Sequence, residues 1–444
     1  MHGVRSSRWS MKYFAVAMAS LGLAELLWAS GLAQPLGNIG SAWVLVGVHL
    51  TTIGFLTLVM MGALHQFVPV LTETELASQT WSGVTFWSVT VGLLGMVSGF
   101  LALPGAVPGG ILPQVPWLLP VGGSLVIAGV IVAAINLGTT LKRAWPWTLP
   151  TWFVATSFVF LVITVFAGLL LALSLAIPGL FTSGQLQVMG GRGLAAHVIG
   201  GVGGWLTLTA MGVSYKLLAM FTLSDERRGA WGWAAYLFTT FGIAAAWLAR
   251  WIGVNGLADL GWAAILIGLA VYLWDMAALY RQRKRRKLEL NARYALVPLG
   301  FLGVLILAAA VVRIGGVLTR LDIALAFLAL YGWLGGLALT QLYKIIPFLT
   351  WLNQFGSRLG KGRTPRVQDL VSEARDRYAY ALYFAAIAVG TVCLGLGSSA
   401  GFRVAMLAAF AATADIARAL YHGSHPEREE SGFGTAAVPF HKAR

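Results

Sequence analysis

AAHVIGGVGGWLTLTAMGVSYKLLAMF, residues 195–221, is apolar over a length that crosses a bilayer, which takes about 20 residues. Yet it holds a histidine, His197, and four glycines at 200, 201, 203 and 204. Its second half recurs in the chain. GFLTLVMMGALHQFVPVL (54–71), GWLTLTAMGVSYKLLAMF (204–221) and GWLGGLALTQLYKIIPFL (332–349) align without gaps, with six identities in eighteen between first and second and again between second and third. Each opens on Gly-aromatic-Leu and places His65, Tyr215 or Tyr343 eleven residues after its glycine. Such self-similarity marks a repeated structural unit.

Of the 444 residues 58% are hydrophobic and 11% charged, with a mean hydropathy of +0.77, which excludes a water-soluble domain. Apolar runs of spanning length fall near 11–33, 42–71, 81–103, 116–141, 150–177, 194–221, 230–252, 257–280, 294–319, 323–350, 378–398 and 400–421. They predict an all-α integral membrane protein with twelve transmembrane helices. With both termini on the cytoplasmic side of the inner membrane, 26 of the 31 Lys and Arg lie on or near that side, clustered at 281–293 and 357–377. This positive-inside asymmetry accounts for the net charge of +15 without nucleic acid as a partner. The basic start, apolar run and ASGLA also fit a secretory signal cleaved after Ala33, but the run from Tyr13 is long for a signal core and its loss would spoil the internal repeat; the segment is expected to be retained. Residues 424–444 read as a flexible cytoplasmic tail. A single cysteine, Cys393, excludes a disulfide framework, a thiolate metal cluster and CxxCH haem attachment.

The recurring stretch belongs to the second, sixth and tenth helices. The fourth, eighth and twelfth also rhyme: AAINLGTTLKR (133–143), YLWDMAALYRQ (272–282) and TADIARALYHG (413–423) place Asn136, Asp275 and Asp415 one to two turns before the helix end. The repeats 11–143, 150–282 and 294–423 therefore predict three quasi-equivalent four-helix arcs. Carboxyls are costly in lipid, so these side chains are expected to face the bundle and bond to neighbouring helices or backbone rather than carry protons.

Twelve helices in three arcs, with HVIGGVGGWLTLTAMGVSYKLLAMF running from a histidine through small residues to Gly-Trp, a Gly and a Tyr, resemble subunit I of the haem-copper oxidases and the NnrS-like membrane proteins related to them. The resemblance covers nearly the whole chain as architecture and is local in sequence. It implies a respiratory, haem-bearing scaffold, with two departures. The family's low-spin haem is held between the second helix of the first arc and its counterpart in the last, where this chain has Leu325 and Phe327. The family's copper centre draws histidines from helices six and seven, and AWGWAAYLFTTFGIAAAWLARWIG (230–253) contains none. No copper is expected, and no copper-dependent oxygen reduction.

Of the seven histidines only His49, His65 and His197 lie in the spans. His49 is five residues before Gly54 and His197 seven before Gly204, a difference of about 3 Å in height and about 200° in direction, as neighbours facing across one cleft would need. Neutral imidazole is the usual axial ligand of a b-type haem iron, which needs no cysteine. His49 and His197 are therefore candidate haem ligands, in a bridge between helices two and six that is rotated by one repeat from the family's site. The competing reading is a hydrogen bond to a neighbouring helix, favoured for His65. Gly200, Gly201, Gly203 and Gly204 leave room for a flat macrocycle or for close helix packing.

Arg192, Arg250, Arg313, Arg320 and Arg403 lie at outer helix ends, against the charge trend. Arg192, then Arg320, Arg403, Arg250 and Arg313, are candidate partners for haem propionates through the bidentate guanidinium fork; pairing with Glu25, Asp259 or Asp322 is the alternative. Lys216 and Lys344 are expected to snorkel to the interface. The expected protein is thus a haem b carrier in respiratory electron transfer, or in sensing or handling NO or O2, with membrane lipid, quinol, a cytochrome or other respiratory subunits as candidate partners. A cofactor-free transporter and an oxidase-like structural or assembly protein are the alternatives.

Overall fold

The computed structural model describes residues 2–107, 115–315, 320–358 and 364–425. Among these every regular element is helical, and twelve helices have the length and apolarity to cross a membrane. In chain order they are α1 (Arg8–Ser30), α2 (Ala42–Thr72), α3 (Gln79–Leu101), α4 (Leu118–Lys142), α5 (Leu149–Ala176), α6 (Ser183–Thr222), α7 (Ala230–Ile252), α8 (Asn255–Arg281), α9 (Leu290–Val312), α10 (Arg320–Phe355), α11 (Glu373–Leu396) and α12 (Ser399–Ser424). Most connections are short, which sets successive helices antiparallel. The predicted spans all recur, and α6 and α10 are longer than apolarity alone indicates: α6 begins at Ser183 on a Thr182 cap, with Gln185 completing the capping box. The predicted tail lies outside the described residues beyond His425, as does the side chain of Arg313.

The three recurring helices are the longest and the most buried. Each contains a π-helical stretch: Leu50–Thr57 in α2, Ile199–Thr207 in α6 and Leu328–Gly335 in α10. All three end three residues after the shared glycines Gly54, Gly204 and Gly332. A π turn widens the helix and disturbs the ordinary backbone ladder, so its carbonyls become available to side chains; the Tyr331 carbonyl accepts a hydrogen bond from the Tyr383 hydroxyl at 2.9 Å. The widened stretches also touch one another through polar side chains buried among apolar ones. The Trp205 indole N–H donates to the Thr57 hydroxyl at 2.9 Å, joining α6 to α2. Trp28 of α1 donates to the Tyr331 hydroxyl at 2.7 Å, and that hydroxyl lies 2.6 Å from Thr51 Oγ1 of α2.

Missing Cβ atoms set how closely the outer helices approach. A Cβ at Gly54 would lie 2.7 Å from Ser20 of α1, one at Gly204 2.3 Å from Phe160 of α5, and one at Gly332 2.9 Å from Phe301 of α9. The shared glycine thus admits the preceding helix in each case. The hairpin α3–α4 closes still further, with a Cβ at Gly122 only 2.5 Å from the Gly92 carbonyl oxygen. In lipid, where apolar surface gains little by hiding, such backbone proximity is a principal source of helix association.

The lysine-rich end is pinned by polar side chains. Asn136 is fully buried and holds the loop before α3, accepting from the Ser78 N–H at 2.8 Å and donating to its carbonyl at 2.9 Å. Asp275, buried in α8, pairs with Arg227 from the loop after α6 at 2.7 Å. Both bond to neighbouring loops, as the cost of a bare polar group in lipid requires. Asp415 does not follow: its side chain is 41% exposed and pairs with Arg418 on its own helix. The two lysines have partners rather than solvent alone, Lys216 with Glu226 and Lys344 with Glu289 at 2.5 Å.

Burial pushes the Glu289 carboxyl upward, but hydrogen bonds from Lys344 and Gln368 and the charges of Lys344 and Arg285 outweigh it and hold the group below the usual glutamate range. Because the folded value is the lower one, the stabilisation is complete above the ordinary glutamate value of about 4.3 and is lost as the pH falls through the depressed value. Thermal unfolding of the detergent-solubilised protein should show this as a loss of stability in acid that Glu289→Gln makes shallower; an unchanged pH profile in the variant would assign the acid loss to other groups. A packing test is independent of pH. Gly204→Ala forces a methyl against Phe160 and should cost about 1–3 kcal/mol, read as a lower melting temperature. Gly138→Ala, where a Cβ would meet nothing within 4 Å, should leave the melting temperature level or raise it.

Candidate functional site

His49 is the last residue before the π-helical stretch of α2, and His197 stands two residues before that of α6. The two rings face each other, with centroids 6.5 Å apart and planes inclined by 28°. Both side chains are half-buried. Each ring is fixed through Nδ1: His49 donates to its own helix at the Leu45 carbonyl, 2.7 Å away, and His197 donates across to the Thr164 carbonyl of α5 at 3.0 Å. A carbonyl can only accept, so both Nδ1 atoms carry a proton, and in the neutral ring the lone pair then falls on Nε2. Neither Nε2 has a hydrogen-bond partner among the described residues.

Gly168 makes the His197 contact possible. It lies one turn after Thr164 in α5, and a Cβ there would sit 2.9 Å from His197 Cε1. Without that Cβ the ring reaches the Thr164 carbonyl, which a side chain at 168 would shield. Phe100 of α3 closes the other flank, its ring centroid 5.0 Å from that of His49. The two histidines therefore stand beside the Phe100 ring and the α5 backbone, each oriented by a backbone carbonyl, the arrangement that commonly sets the tautomer of a metal-ligating imidazole.

The donor set discriminates among metals. No group of three or more His, Cys, Asp or Glu side chains among the described residues is placed to hold an ion, so a bare Zn or Cu ion, which takes about four ligands, would be under-coordinated. A haem iron takes four nitrogens from its macrocycle and asks the protein for one or two axial ligands. Two imidazoles on opposite sides of one ion, with metal–nitrogen bonds of about 2 Å and about 1 Å from each nitrogen to its ring centre, put the centroids about 6 Å apart, close to the observed 6.5 Å. The separation of the two rings is the one that two imidazoles on a single iron require.

His65 belongs elsewhere. It is fully buried, its Nδ1 donates to the Met61 carbonyl at 2.7 Å, and its ring stacks on Tyr13 of α1 at 5.6 Å. The glycines beside His197 serve packing: Cβ atoms at Gly200 and Gly201 would meet Thr164 at 2.6 and 3.2 Å, and one at Gly203 would meet Ile243 at 3.4 Å. The arginines share another setting. Arg403 donates to the Ala29 and Ser30 carbonyls at 3.0 and 2.9 Å, at the end of α1. Cβ atoms on Gly397 and Gly253, the left-handed residues that end α11 and α7, would lie 2.8 Å from the Arg320 guanidinium and 3.5 Å from that of Arg192. All three guanidinium groups thus sit at helix C-termini, where the backbone dipole and orphan carbonyls favour a cation. None has an acidic partner within 4.0 Å among the described residues.

Glu25, weighed from sequence only as an arginine partner, is fully buried in α1. Its Oε1 accepts from Thr413 of α12 at 3.0 Å, and its Oε2 has no partner among the described residues. Its sequence signal was a carboxyl inside an apolar run.

The helices and their lengths define a multi-pass α-helical membrane protein. Comparison of the sequence with family models and with curated proteins gives no match.

Proposed function

We propose that this chain is an integral-membrane b-type haem protein of the haem-copper oxidase subunit I-like type, lacking copper, with His49 and His197 as the axial ligands. One observation supports the reading: the imidazoles of α2 and α6 lie with centroids 6.5 Å apart, each held by a carbonyl through Nδ1 and each with its Nε2 free of a partner among the described residues. The chain's own residues do the positioning. Leu45 and Thr164 set both tautomers, Gly168 opens the approach for His197, and Phe100 buttresses His49. Haem bound there supplies one-electron transfer when both imidazoles hold the iron, or an open position for NO or O2 when one does.

The setting we infer is the inner membrane with both termini cytoplasmic, and a role in respiratory electron transfer or in handling a diatomic gas. Quinol, a cytochrome or other respiratory subunits are the proposed partners. Arg192, Arg320 and Arg403 remain proposed contacts for the propionates, each beginning from a helix-end position that it would share with or yield to the ligand.

The purified protein, expressed with ample haem, should give a b-type reduced-minus-oxidised difference spectrum. His49→Ala or His197→Ala should remove the haem or leave a five-coordinate iron that takes up carbon monoxide. Gly168→Val, which displaces the His197 ring without removing it, should lower haem content in the same direction. A colourless protein under these conditions, or spectra indifferent to both alanine variants, would sink the reading and favour a transporter or assembly role; uptake of solutes into liposomes then separates those two.

A further inference from the structure

The first and last helices pack side by side, and between them runs a groove of ≈ 880 Å³ that also touches Ile346 of α10. That volume is near the top of the range for small-molecule sites, about 300–1,000 Å³. Small residues open it: Ala15, Ala19 and Gly22 on α1 and Ala414 and Ala417 on α12. From Met11 to Leu26 its α1 wall extends over about 22 Å at helical rise, longer than the acyl layer of one leaflet, which is about 15 Å.

The groove's two ends differ in kind. Away from the lysine-rich end the walls are apolar, with Leu23, Leu26 and Phe410. At the lysine-rich end they carry Lys12, Arg418, Ser424 and His425. Lys12 is exposed and lies over the Trp9 ring at 4.4 Å, and Arg8 is exposed one turn earlier. Arg418 shares Asp415 with Arg375, which lies 3.9 Å away; one carboxylate faces two guanidinium groups, and the Arg418 side chain stays 39% exposed. The mouth therefore has an excess of positive charge where a headgroup phosphate would lie, above a slot that accepts hydrocarbon.

We propose that this groove is a binding site for an anionic glycerophospholipid, its phosphate held by Lys12 and Arg418 and an acyl chain laid along the alanine and glycine face of α1 and α12. Basic pockets between transmembrane helices recognise acidic headgroups in this way. The site involves neither His49 nor His197 and stands or falls independently of the haem reading.

The test is native mass spectrometry of the full-length protein in detergent, titrated with phosphatidylglycerol and with phosphatidylethanolamine of the same acyl chains. Phosphatidylglycerol should be retained at detergent concentrations that strip phosphatidylethanolamine. Lys12→Gln with Arg418→Gln, both at exposed or half-exposed positions, should weaken phosphatidylglycerol roughly ten- to thirty-fold and phosphatidylethanolamine, whose ammonium already offsets its phosphate, by much less. Arg418→Lys with Lys12 intact should retain most of the preference, and Ala19→Trp, which fills the slot, should lower retention of phosphatidylglycerol with the charges in place. Equal retention of the two lipids by the parent protein, or an undiminished preference in the double glutamine variant, would overturn the proposal and leave the groove to ordinary annular lipid.

Discussion

The hydrogen bond from the Trp205 indole to the Thr57 hydroxyl is the constraint on which the centre of the bundle depends. Its two ends lie eight residues after His197 and His49. It joins α6 to α2 two turns along from the imidazoles, so the facing of the rings is a consequence of how these helices are locked. Buried in lipid-like surroundings, neither group can turn to water if the pair breaks, and the cost of an orphaned donor then opposes sliding or rotation of one helix against the other. Tyr331 plays a similar part for α10, gathering Trp28, Thr51 and, through its carbonyl, Tyr383. The π-helical stretches make these junctions possible by widening the backbone where the polar side chains meet.

Around this centre the chain uses its few polar groups sparingly and at helix ends. Asn136 and Asp275 tie connecting loops to the second helix after each, α4 and α8, while Arg192, Arg320 and Arg403 rest on helix C-termini at the opposite end. The two sets answer the same problem: backbone groups at a helix end have no intrahelical partner, and near lipid they need one. Left-handed glycines at 31, 253 and 397 stand beside these cations, and next to Gly31 the Ala29 and Ser30 carbonyls accept from Arg403.

Much of the fold was legible because apolarity and length are local properties. The twelve spans follow from composition, and the alignment of three short stretches picked out the helices that carry the π segments. What the residues could not show was contact across distant parts of the chain. Counting back from Gly54 and Gly204 placed His49 and His197 at similar depth and facing, but nothing in FVATSFVFLVITVFAGLLLALS marks Gly168 as the gap through which His197 reaches Thr164. Charge trends singled out the arginines, yet their helix-end setting emerges only when Gly31, Gly253 and Gly397 are seen beside them. Asp415 rhymed with Asp275 in sequence and differs in place, because the cation it meets, Arg418, is one turn away on the same exposed face rather than on a loop across the bundle.

The pairing of α1 with α12 has a bearing on biogenesis. Glu25 receives its hydrogen bond from Thr413, and the carboxy end of α1 receives the guanidinium of Arg403, both from α12, which is made after ten further helices. Throughout synthesis of the intervening ten helices, the opening segment must hold an acid and a set of bare carbonyls in a half-built membrane assembly. Neither contact can form before α12 enters the bilayer, so a nascent chain that stalls earlier displays in α1 an unmet acid and unmet carbonyls for quality control to recognise.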